Sequence, residues 1–121
     1  MDNNEHGIAR RYAEQLATQM RKGLLSYLVL VVAEKPIYTS DIIGRLSQAG
    51  LTVVEGTIYP LLLRLQRDGL LQHEWREDKS GRPLRKYYCV TKLGKTVAGE
   101  LKQEIKNLNQ ATSKLEKKET K

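Results

Sequence analysis

Between Glu55 and Asp68 the apolar positions Ile58, Leu61, Leu62 and Leu65 recur at i, i+3, i+4 and i+7, one stripe of an α-helix. The opposite side carries Gly56, Pro60, Leu63, Arg64 and Arg67, with Thr57 and Tyr59 on the flanks. Pro60 has no amide hydrogen, so it is expected near the helix start, where that donor lacks an intrahelical partner anyway. Asp68-Gly69 closes the segment, since glycine suits the left-handed position after a helix. The pattern predicts a short helix that buries one side and offers a slim, donor-bearing N-terminal end to a partner.

Upstream, Met1 to Gly7 is polar and reads as a frayed end. A helical pattern starts at Ile8 and runs through Tyr12, Leu16 and Met20 into Leu24, Leu25, Leu28, Val29 and Val32. The second half is apolar nearly all round and belongs at the centre of the core. The first half is too polar for that; it is an exposed extension or an arm lying on a partner subunit. Lys35-Pro36 stops the helix, because the residue before a proline is pushed out of helical angles. Thr39 or Ser40 can cap a second helix with Asp41 in its first turn, Ile42, Ile43 and Leu46 on its buried side, and Gly50 at its end. A connector from Leu51 to Val54 leads into the helix described first. Two helices so joined, the second with an open N-terminal end, form a helix-turn-helix.

Two strands follow. Leu71, His73 and Trp75 share one face of the first; Tyr88 and Val90 share one face of the second, with Arg85, Tyr87 and Cys89 on the other. Lys79-Ser80-Gly81 supplies turn chemistry and Pro83 prevents regular pairing at the tip, so the pair is a basic hairpin projecting from the body. Trp75 reads as a stacking platform or as a sheet residue covering the helices; strand spacing prefers the second. Tyr59 either packs on the first helix or turns its hydroxyl towards a phosphate, and the second reading is preferred. Thr91 can cap a last helix from Lys92 to about Lys117. Its apolar positions form a heptad seam, with Ala98, Ile105 and Thr112 at a and Leu101, Leu108 and Leu115 at d. That seam has too little apolar support for a monomer core and reads as a helix–helix dimer contact. The organisation expected is an N-terminal arm (1–19), a helix-turn-helix domain with its hairpin (20–91), and a C-terminal dimerisation helix with a charged tail (92–121).

Charge sharpens this outline. The chain carries a net +7, and the distribution is uneven: Arg76 to Lys95 holds seven basic residues against Glu77 and Asp78, +5 in one segment. Clustering of that kind favours a polyanion, and nucleic acid above all. One cysteine, Cys89, allows no internal disulfide and fits a reducing compartment. The longest apolar run, Leu24 to Ala33, is roughly half of a membrane span, and MDNNEHG is no signal peptide. A cytoplasmic protein with no membrane partner is expected. His6 and His73 have no partners at metal-ligand spacing, Cys89 has no catalytic signature, and neither a GxSxG motif nor a glycine-rich phosphate loop occurs. The residues therefore predict neither metal nor cofactor nor enzyme activity.

Three pieces of the chain resemble the PadR family of bacterial transcriptional regulators: PIY at Pro36 to Tyr38, EGTIYPLLLRLQRDGLL at Glu55 to Leu71, and SGRPLRKYYCVTKLGK at Ser80 to Lys95. The resemblance runs from about Met20 to the end of the last helix. It implies a fold that is mainly α with a two-stranded β-wing: a winged helix-turn-helix plus N- and C-terminal dimerisation helices. The short final helix is similar to that of the smaller subfamily. The resemblance further implies a homodimer built through the first and last helices, to which Tyr12 and Leu16 would belong, and repression of genes by binding an operator. It places the Glu55–Asp68 helix in the major groove, with Thr57, Tyr59 and Arg64 on DNA. It places Lys79, Gly81, Arg82, Arg85, Lys86 and Tyr87 of the wing near the minor groove or backbone. The chain departs from the family pattern in having Thr39-Ser40 where Gly-Tyr is frequent, so Ser40 replaces a tyrosine contact only weakly. Leu63 stands where a basic residue is common. No aromatic follows Tyr88, so the aromatic-drug binding of some small members does not carry over.

The expectation is a dimeric, sequence-specific repressor on a pseudo-palindromic operator of double-stranded DNA, its half-sites about one helical turn apart, ~34 Å. Anything that changes the angle between subunits would release it, a small-molecule effector between them included. The alternative class is a winged-helix protein-interaction module that does not read DNA; binding that barely responds to salt would favour it.

Overall fold

The computed structural model describes residues 2–77, 81 and 83–117. A 30-residue helix, α1 (Asn3–Val32), opens the chain. It starts five residues earlier than its apolar pattern: Asp2 Oδ1 accepts a 2.8 Å hydrogen bond from the Glu5 amide and caps the end. The segment read as frayed is therefore helical from Asn3 onwards. Ile8, Tyr12, Leu16 and Met20 are exposed, whereas Leu25, Val29 and Leu30 are buried. The helix stops just before Lys35-Pro36, where the Ala33 amide donates to the Val29 carbonyl.

Ile37–Tyr38 forms a short strand, β1, that pairs antiparallel with the later strand β3 (Arg85–Val90), Ile37 opposite Tyr88 and Tyr38 opposite Tyr87. The two-stranded wing thus gains a third strand at its base. With β2 (Leu71–Arg76), β1 and β3 make a three-stranded antiparallel sheet in the order β1-β3-β2. The strand also displaces the expected cap. Helix α2 (Thr39–Gln48) follows β1 without a break, the capping position falls to Tyr38, and no side chain caps the end. Thr39 is buried inside the first turn and Ser40 is exposed beside it. Gly50, with φ of 98°, reverses the chain after α2, and the Leu51 amide donates back to the Leu46 carbonyl.

Helix α3 (Glu55–Arg67) buries Ile58, Leu61, Leu62 and Leu65, the stripe predicted. Pro60 lies deeper in it than expected. It occupies the second turn, so the missing amide would have donated to the carbonyl of Gly56, an exposed residue. Gly69, at φ 82°, ends the helix.

The strands β2 and β3 pair from Leu71 opposite Val90 to Arg76 opposite Arg85. Only Leu71 of β2 is buried, so His73 and Trp75 do not cover the helices as expected. Tyr88 and Val90 complete the core with Ala33, Ile42 and Leu46. Cys89 is half-buried, its thiol 3.8 Å from the Glu34 carbonyl. Thr91 caps the last helix, α4 (Lys92–Glu116): its hydroxyl accepts from the Gly94 amide at 3.0 Å and donates to the Gly69 carbonyl at 2.7 Å. Gly94 is required there, because a Cβ would collide with the Leu70 carbonyl oxygen and the Val90 side chain. Val97 and Ala98 pack on the subunit's own core and Leu101 and Ile105 are half-buried, while Leu108, Thr112 and Leu115 are exposed. The seam therefore begins inside the subunit at Ala98 and is open from Leu108 onwards.

Candidate nucleic-acid interface

Burial of the α3 stripe turns the rest of that helix outward. Glu55, Gly56, Thr57, Tyr59, Pro60, Leu63, Arg64 and Arg67 are all exposed. Thr57 and Arg64 are seven residues apart, two helical turns, and so lie on one line. Arg67 is 3.6 Å from Asp68, an exposed pair of little energetic weight. Tyr59 is 46 % exposed. Partial burial, then the Glu55 carboxylate, then Tyr38 and Tyr88 push its phenol above the ordinary tyrosine value. It stays a neutral hydroxyl donor at neutral pH. Ser40 is exposed at the start of α2.

The wing splits its candidate residues between its two faces. Arg85 and Tyr87 alternate with Lys86 along β3. The Arg85 guanidinium lies 4.6 Å from the centroid of the Tyr38 ring, and the Tyr38 and Tyr87 rings are 6.0 Å apart. Arg76 covers Tyr87 at 5.7 Å and is itself held by Glu74 at 2.7 Å. On the other side the Lys86 ammonium lies 5.1 Å from the Tyr88 ring. Gly81 is exposed with φ 80°, a turn conformation that favours glycine. Lys79 and Arg82 lie outside the described residues.

Between α3 and the wing runs an open cleft of about 340 Å³. Tyr59 and Leu63 line it from α3, Trp75 from β2, and Leu84, Arg85, Lys86 and Tyr88 from β3, with Tyr38 and Thr39 at its end. The cleft unites three expected site residues, Tyr59, Arg85 and Lys86. Tyr87 belongs to the outer ladder, and Thr57 lines a separate groove with Thr18, Arg21 and Lys22 of α1. Trp75, Leu63 and Leu84 were not among the site residues read from the sequence. Leu63 and Leu84 carried a signal, large apolar side chains that helix and strand periodicity do not need for the core, whereas alternation had set Trp75 on the face of Leu71.

Among the described residues no group of His, Cys, Asp or Glu is placed to hold a metal ion, and no helix is long and apolar enough to cross a membrane.

No curated protein matches the chain. Solved structures do. A PadR-like transcription factor from Bacteroides fragilis is 47% identical over 84% of this chain and 98% of its own, with a TM-score of 0.69. A PadR family transcriptional regulator from Eggerthella lenta is 29% identical over 93% of this chain and 98% of its own, with a TM-score of 0.81. A PadR-like transcriptional regulator from Bacillus cereus is 33% identical over 84% of this chain and 99% of its own, with a TM-score of 0.77. Residues 28–100 match the family described as transcriptional regulator PadR-like, a stretch that holds the helix-turn-helix, the wing and the start of α4. The chain belongs to the PadR-like family of transcriptional regulators and has that family's winged helix-turn-helix fold.

Proposed function

We propose that this regulator is a homodimeric, sequence-specific repressor that occupies a pseudo-palindromic operator and leaves it when an effector alters the subunit arrangement. The observation that carries the reading is the junction of α3 with a cationic wing: exposed Thr57, Tyr59 and Arg64 on one side, Arg85 and Lys86 on the other. Thr57 and Arg64 read base edges in the major groove, and Tyr59 donates its hydroxyl to a phosphate. Ser40 adds a weak backbone contact. Gly81, Lys79, Arg82, Arg85, Lys86 and Tyr87 engage the backbone and minor groove.

Dimerisation joins the exposed stripe of α1, including Tyr12 and Leu16, to the open part of the α4 seam, Leu108, Thr112 and Leu115, with Leu101 and Ile105 at its edge. Ala98 supports that seam from the subunit's own core. Residues 1–19 serve as the arm, 20–91 as the reading domain and 92–121 as the dimerisation helix and tail. The site of action is the cytoplasm, where the operator is.

Selection of bound sequences from random duplex DNA tests the reading. A motif with twofold symmetry and half-sites about one helical turn apart, ~34 Å, is expected. A flat result leaves only non-specific binding and rejects sequence-specific repression.

A further inference from the structure

Among the described residues, every hydrogen bond that joins distant parts of the chain outside the strand ladders comes from Cys89, Val90 or Thr91. The Val90 amide donates to the Ala33 carbonyl at 2.8 Å and ties the end of β3 to the end of α1. The Thr91 amide donates to the Leu70 carbonyl at 3.0 Å, and the Thr91 hydroxyl donates to the Gly69 carbonyl at 2.7 Å. Both carbonyls belong to the turn that closes α3. The same hydroxyl accepts from the Gly94 amide at 3.0 Å, in the first turn of α4. One oxygen atom thus bridges the end of α3 and the start of α4.

Apolar packing holds only the first part of α4. Val97 and Ala98 reach the core, but the helix is exposed from Leu108 onwards. An open cleft of about 350 Å³ lies between its Ala98–Lys102 stretch and Val31 and Glu34 of α1. The polar bridge at its first turn therefore fixes much of its direction. The leverage is large. Helix α4 has 25 residues. At that length it spans about 37 Å, and a tilt of about 10° moves its far end by about 6 Å, close to two base-pair steps. We infer that Thr91 is a positioning residue for operator reading. Its hydroxyl sets the angle between α3 and α4. Through the seam at the far end of α4 it sets the distance between the two α3 helices of the dimer. The inference rests on the dimeric, DNA-binding reading above and adds the residue that selects the half-site spacing.

The test uses the full chain and dye-labelled duplexes carrying the two half-sites found by selection from random DNA. The spacer between them is lengthened or shortened by about one or two base pairs, and anisotropy reads binding. For the unaltered protein the larger change should weaken binding roughly tenfold or more, since both half-sites must engage at once. Thr91→Val keeps the shape of the side chain and removes both hydroxyl bonds. It should cut that penalty to about twofold, while a duplex with one half-site binds as before. Thr91→Ser keeps the hydroxyl and should restore the penalty. Ile42→Val, in the core on α2, also lowers Tm but should leave the spacing preference intact, which separates positioning from stability. Three results overturn the inference and spare the DNA-binding reading: Thr91→Val with the full spacing penalty, Thr91→Ser without it, or Ile42→Val without it. A selection that yields no motif, or an unaltered protein indifferent to spacing, overturns the inference together with the dimeric, sequence-specific reading.

Discussion

The guanidinium of Arg85 sits 4.6 Å above the ring of Tyr38, a residue 47 positions earlier in the chain. The two-residue strand β1 makes that meeting possible by pairing with β3 at the base of the wing. A cation on an aromatic face contributes about 0.5–1 kcal/mol at an exposed site, more when partly desolvated. Here its main consequence is orientation: Arg85 is steadied for an anion before the anion arrives. Tyr38→Leu should weaken duplex binding by about twofold to fivefold, in line with that energy range. Tyr38→Phe should bind like the wild type, because the ring face and not the hydroxyl does the bracing. Equal loss in both variants would show that the hydroxyl matters instead.

Two glycines of α4 should respond in opposite directions. Gly94 faces the Leu70 carbonyl and Val90 with no room for a Cβ, so Gly94→Ala should cost about 1–3 kcal/mol, seen as a drop in Tm of roughly 5–15 °C. Gly99 has open space around it, so Gly99→Ala should stabilise by about 0.5–1 kcal/mol through helix propensity. Thermal unfolding followed by circular dichroism checks both.

The open end of α4 bears on assembly. Leu108 and Leu115 are exposed in one subunit, and Leu115 is 86 % exposed. Leu108→Glu with Leu115→Glu should leave the fold of the subunit intact while weakening self-association by about 2 kcal/mol or more, ~30-fold in the constant. Sedimentation velocity measures it. A variant that remains dimeric at the same concentrations would move the interface elsewhere.

Arg82 lies outside the described residues, and its role comes from the GRPLRK stretch of the sequence. Arg82→Ala should weaken binding to all duplexes alike and reduce the salt slope by about one, the signature of a lost phosphate contact. Unchanged affinity and slope would remove the wing tip from the interface.

Much of this architecture was legible from residue spacing. The α3 stripe is buried on one side only, so its period of 3.6 stands out, and Leu71, Tyr88 and Val90 were assignable from strand alternation. What escaped was non-local or too short to have a period. Ile37–Tyr38 is two residues long, and its partner strand lies some fifty residues away. The displaced cap at Thr39 follows from that same strand. The start of α1 did have a local signal, Asp2 three residues before Glu5, a capping spacing that the apolar pattern overshadowed. For Trp75, alternation gave the face but not how far the helices extend over it. For Ala98, a heptad alone does not say whether the facing helix belongs to the same subunit. The structure sets it on its own core.

The central claim is that α3 reads bases, and repeating the duplex selection with Arg64→Ala tests it most directly. The account predicts the wild-type motif with preference lost at one position, mirrored in the two half-sites, and a cost of about 1–3 kcal/mol for that position. An identical motif from the variant and from the wild type would contradict the assignment of base reading to Arg64.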